Sequence, residues 1–127
     1  MFFGCSSLNE LDLNNFNTNN VNNMSHMIYG YSSLKEINIS NFNTDNVTDM
    51  DIMFFGCSSL KGLNLNIFNT NNVKDMNRMF SGCSSLQELN LDNFNSDNIT
   101  NMSCLFYKCC SLKELNLNKI KVEHIHP

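Results

Sequence analysis

The chain has 127 residues, of which 42% are hydrophobic, enough for the core of one domain. Twelve acidic against eight basic residues give a formal charge of −4, which argues against a protein built to hold nucleic acid, and no apolar run is long enough to span a bilayer. Asparagine supplies 25 residues, alanine and tryptophan are absent, and the only proline is Pro127, a skew that points to repetition before chemistry.

The repetition is explicit. The octet MFFGCSSL at Met1–Leu8 returns at Met53–Leu60, with variants starting at Met27, Met79 and Leu105. The period is 26 residues without insertion or deletion, so the chain reads as one array of units 1–26, 27–52, 53–78, 79–104 and 105–127.

Taken in chain order, each unit carries the L-x-x-L-x-L spacing from its eighth residue, first as Leu8, Leu11 and Leu13, and in the fourth unit as Leu86, Leu89 and Leu91. The last two apolar residues alternate with polar ones, which predicts a strand with one buried face. Strands are expected near Glu10–Asn14, Glu36–Ser40, Gly62–Asn66, Glu88–Asp92 and Glu114–Asn118, stacked in parallel at about 4.8 Å per rung. Parallel strands need a crossover, commonly a helix. Val73, Met76, Met79 and Phe80 have helical spacing, so short helices are expected to start near Val21, Val47, Val73 and Ile99. Thr70 or Asn72 would cap such a helix, Asp75 would sit in its first turn and Gly82 would end it in a left-handed conformation. The fold class expected is therefore α/β, a solenoid of five strand–loop–short helix units with a parallel sheet.

The period absorbs residues that would otherwise look functional. All eight methionines fall in two columns, and Gly4, Gly30, Gly56 and Gly82 share one position, as do Phe16, Phe42, Phe68 and Phe94. Asparagine columns at Asn17, Asn43, Asn69, Asn95 and at Asn20, Asn46, Asn72, Asn98 are suited to satisfying backbone groups of their own and adjacent rungs. Cys5, Cys57, Cys83 and Cys109 share a column of small thiols, expected to be buried and free. Were they oxidised, Cys57–Cys83 or Cys83–Cys109 would bridge and Cys5–Cys57, two rungs apart, would not. Cys104, Cys109 and Cys110 with His124 and His126 lack the spacing of a zinc site, His26 occupies a variable position, and no nucleophile accompanies a placed base. No catalytic residue, metal ligand or cofactor is assigned.

The string MFFGCSSLKGLNLNIFNTNNVKDM at Met53–Met76 resembles the 26-residue bacterial surface-protein repeat of the BspA-type leucine-rich repeat surface proteins and related mycoplasma-type lipoproteins, over about residues 1–118. The resemblance implies a leucine-rich-repeat-like solenoid at a cell surface or secreted, binding a host or neighbouring-cell protein, and it implies no catalytic residues. The expected function is a non-enzymatic protein-binding module, a fragment of a surface adhesin-like protein. Met1 occupies an internal repeat position, which favours the fragment reading; the alternative is an intracellular leucine-rich-repeat scaffold, since no leader is visible. The unit pattern fades after Asn118, and apolar first and last rungs favour head-to-tail self-association. In such arrays the exposed strand residues line a concave face. Here they are Glu10, Glu36, Gly62, Glu88, Glu114, then Asp12, Asn38, Asn64, Asn90, Asn116, then Asn14, Ser40, Asn66, Asp92, Asn118. Glu36, Asn38, Asn64, Glu88 and Asn90 form the centre of the expected protein-binding surface.

Overall fold

In the computed structural model, residues 7–117 and 119–121 are described. They contain five short strands, β1 (Glu10–Asp12), β2 (Glu36–Asn38), β3 (Gly62–Leu63), β4 (Glu88–Asn90) and β5 (Glu114–Asn116). Pairing is parallel and in register with the repeat: Glu10 lies opposite Glu36, Leu63 opposite Leu89, and Glu88 opposite Glu114. The strands start where the alternation predicts but end two residues early, and β3 three residues early. Asp12, Asn38, Asn64 and Asn90 each accept, through Oδ1, the backbone N–H two residues on, at 2.8–3.2 Å, which bends the chain out of the ladder. Leu65 and Leu91 still point into the core and are buried.

The expected helices are not formed: among the described residues there is no helix, so the α/β assignment gives way to short parallel strands joined by turns. Three causes act together. Asn23, Asp49, Asp75 and Asn101 capture the N–H two residues ahead, which competes with helical bonding. Positive φ then occurs in pairs four residues apart, first at His26, Ile52, Arg78 and Cys104 (56–60°) and then at Gly30, Gly56 and Gly82 (76–79°) and Lys108 (62°). A right-handed helix admits neither. Finally, the N–H groups of Met50, Ile52, Phe54 and Gly56 donate to the carbonyls of Asp75, Asn77, Met79 and Ser81 in the next rung, at 2.8–2.9 Å, instead of four residues back.

This segment is a train of β-turns. Met53 N–H bonds Met50 C=O, Phe55 bonds Ile52, and Cys57 bonds Phe54. Turn ends lie three residues apart, so Met50, Met53, Phe54 and Cys57 all face inward and mimic a helical stripe. Ile52 and Gly56 are the third residues of two of these turns, the place where a type II turn requires positive φ. Gly82 does adopt the left-handed conformation, but inside a turn; a Cβ there would lie 3.3 Å from the Gly56 backbone.

Thr70 caps no helix either. Its hydroxyl donates to Asn95 C=O (3.0 Å) and accepts from Asn95 N–H (2.8 Å), and Thr44 does the same for Asn69. Thr18, Thr44, Thr70 and Ser96 are all buried, each clamping one rung to the next. Asparagine does the equivalent outside the core: Asn46, Asn72 and Asn98 donate from Nδ2 to the carbonyls of Asn19, Asp45 and Asn71 at 2.6–2.9 Å. Between these seams the Leu, Ile, Val, Met and Phe columns form one continuous core, each side chain worth about 1.5–3 kcal/mol of burial.

The two sides of the stack are not equally regular. On the turn side, single-residue parallel bridges run unbroken through Asn23, Asp49, Asp75 and Asn101. On the strand side, β1–β2 and β3–β4–β5 form two separate sheets, and the pairing lapses between β2 and β3.

Candidate functional site

The strand face lies over that lapse. An open depression of about 1000 Å³ is lined there by Glu36, Asn64, Glu88 and Asn90, together with Lys35, Lys61, Ile37 and Leu63. Four of the five residues expected to form the binding centre are thus brought together. Asn38 is exposed but stands outside the depression. Its Oδ1 is taken by the N–H and hydroxyl of Ser40. Asn64 and Asn90 likewise use Oδ1 in their own turns, which leaves Nδ2 as the group they can offer a ligand. The amide column is therefore half structural.

Glu36 and Glu88 are exposed, and among the described residues the one ion pair is Lys121–Asp97 at 3.4 Å, which involves neither. Gly62 separates them. It has ordinary φ, and a Cβ built on it meets nothing within 4 Å. Neither backbone freedom nor close approach requires a glycine here. A second, smaller depression over β4 and β5 is lined by Glu88, Asn90, Lys113, Glu114 and Asn116.

The turn side carries features that no motif announces. Tyr29 and Phe55 stack outward with ring centroids 5.3 Å apart, and Tyr107 is exposed with Lys108 Nζ 5.4 Å from its ring. Their sequence signal is the aromatic third residue of the octet, interrupted by Ser81. Asp51 lies nearby, its carboxyl raised to about 6, first by desolvation, then by its hydrogen bond to Asp49 and by the charges of Asp49 and Asp75, with His26 opposing. The folded chain therefore holds a proton that the unfolded chain has already released by the ordinary value of 3.8. The stability this group contributes is full below about pH 4 and is lost as pH rises to about 6. Asp51→Asn should raise the melting temperature at pH 7 and leave it unchanged at pH 4; an equal shift at both would contradict the assignment.

The described cysteines are free. Cys57, Cys83 and Cys109 donate their S–H groups to the carbonyls of Ile28, Phe54 and Phe80 one rung back, at 3.0–3.2 Å. Burial pushes Cys57 up to about 12 and Cys109 to about 11, and raises Cys83 further, so these are inert thiols and not nucleophiles. In native protein at pH 8, iodoacetamide should modify exposed Cys110 while Cys57 and Cys83 stay unlabelled, as read by peptide mass spectrometry. Cys5, His124 and His126 lie outside the described residues. Among those described, no three His, Cys, Asp or Glu side chains are grouped to hold a metal, and no helix is long and apolar enough to cross a membrane.

Compared with known families, residues 1–120 match the family described as Mycoplasma protein of unknown function, DUF285. No curated protein and no solved structure matches the chain.

Proposed function

The chain belongs to this DUF285 family of mycoplasma proteins, and we propose that it acts as a non-enzymatic protein-binding module whose strand face meets the partner. The observation that carries this reading is the depression over β2, β3 and β4, where carboxylates and amide donors from three rungs converge without partners of their own among the described residues. Elsewhere, the repeated Cys, Ser, Thr and Asn columns are engaged in holding the stack. Kinship with the BspA-type leucine-rich repeat surface proteins belongs to the same proposal. It rests on the repeat string and carries with it display at a cell surface and a host or neighbouring-cell protein as partner.

The test is retention of surface and matrix proteins on immobilised chain, compared with the double variant Glu36→Lys, Glu88→Lys. A partner retained by the wild type in a salt-sensitive manner and lost by the variant supports the reading. A partner held equally by both, with the same salt dependence, moves the site to the turn side around Tyr29, Phe55 and Tyr107.

A further inference from the structure

We propose that the stack has one built-in joint, the strand side of the seam between β2 and β3, which alternates between the open form of the structure and a closed form in which β2 and β3 pair and the two sheets become one. Four observations meet at this seam. The ladder itself lapses there. At each of the other three seams a backbone bond stands just ahead of the strands: Lys35 N–H donates to Asn9 C=O (2.7 Å), Gln87 N–H to Lys61 C=O and Lys113 N–H to Gln87 C=O (both 2.9 Å). Among the described residues, Lys61 N–H makes no such bond to Lys35 C=O. Beyond the strands, Asn41 and Asn93 donate from Nδ2 to the carbonyls of Asn14 and Asn66, but Ile67 fills that position in the third rung and has no donor for Ser40 C=O. Inside, Ile37 is only half-buried although a rung lies on either side of it, whereas Leu89, equally enclosed in the fourth rung, is 3% exposed.

The rest of the seam is closed. Asp49 bridges Asp75, the Thr44 hydroxyl holds Asn69, and the Phe54 and Phe80 rings stack at 6.0 Å. Motion is thereby confined to the strand side, with the turn side as its axis. The closed form has a fixed register, since the period permits only Glu36 opposite Gly62 and Ile37 opposite Leu63, at a strand spacing of about 4.8 Å. Closure gains burial of the remaining apolar surface of Ile37. Gly62 opposes it, because glycine loses more backbone freedom in a strand than any other residue and brings no side chain to the pair. Small opposing terms leave both states populated. Closure narrows the depression, so the strand face has two shapes to offer whatever binds it.

The test is relaxation dispersion on ¹⁵N-labelled chain, which reads exchange in the μs–ms range expected of such a collective motion. Dispersion should be confined to residues 35–38 and 61–64 and absent from β4 and β5. At the Lys61 amide proton the minor state should lie downfield, towards the positions of Gln87 and Lys113, as a newly bonded N–H does. Two substitutions act on the balance through different observations. Gly62→Val adds a strand-favouring side chain where a Cβ meets nothing within 4 Å, and should raise the closed-to-open ratio about fivefold without lowering the melting temperature. Ile67→Asn, at an exposed position, restores the donor to Ser40 C=O and should raise the ratio in the same sense. A minor state with random-coil shifts would mean that the seam melts instead of closing, and overturns the proposal. Flat dispersion throughout β2 and β3, a ratio that both substitutions fail to raise, or dispersion of equal size at the paired seams overturns it as well.

Discussion

Replacing Phe80 with alanine should lower the unfolding free energy by about 3–5 kcal/mol. Phe80 is fully buried in the middle of a ring column, with Phe54 and Phe106 parallel to it at 6.0 Å on either side. Truncation removes both contacts and opens a ring-sized cavity that the backbone cannot close, because Phe54 N–H and Phe80 N–H are fixed to the next rungs at Met79 and Leu105. Phe16, 45% exposed, is the control, and its alanine variant should stay within about 0.5 kcal/mol of wild type. Equilibrium urea denaturation followed by circular dichroism measures both. Similar midpoints for the two variants would mean that the ring column does not hold the stack.

The second large effect is expected from a change of almost no volume. Thr70→Val keeps the shape of the side chain but strips both hydrogen bonds from the Asn95 backbone, leaving a donor and an acceptor facing an apolar group. At about 1–3 kcal/mol for each unsatisfied group, lessened where water can reach, the loss should be about 2–4 kcal/mol. Thr70→Ser keeps the clamp and should cost about 1 kcal/mol for the lost methyl. The serine solution already exists one rung on, where Ser96 accepts from Lys121 N–H at 2.9 Å. Hydrogen exchange at the Asn95 amide should accelerate strongly in the valine variant and little in the serine variant. Equal exchange in both would relieve Thr70 of the role.

Period and alternation were enough to place the strand starts, the inward columns and the parallel register, because a 26-residue repeat without insertions permits only one in-phase stacking. They were not enough to tell a helix from a run of turns. Met76, Met79 and Phe80 have the same spacing in either, and the deciding facts are the direction of the N–H groups and the sign of φ at Arg78. Arginine and isoleucine at left-handed positions give no warning, since only the neighbouring Gly column hints at positive φ. Thr70 was misassigned for a related reason: a threonine ahead of an apolar stripe is a capping signal locally, and its real partner is 25 residues away. On the strand face, the outward columns followed from alternation, but the depression did not. It depends on the lapse of pairing beside Gly62, which belongs to two rungs together and to neither alone.

The seams between rungs are built almost wholly from backbone groups and from side chains that every unit supplies, such as the threonine clamp and the asparagine donors. Units are consequently interchangeable parts. Excising residues 53–78 would join Ile52 to Met79 and seat Phe80, Gly82 and Cys83 where Phe54, Gly56 and Cys57 had been, with every seam still matched. What would change is the outer face, where Glu88 would move beside Glu36 and the gap at Gly62 would be lost. Recombination between units can thus redraw what the surface presents without reopening the question of how the chain folds.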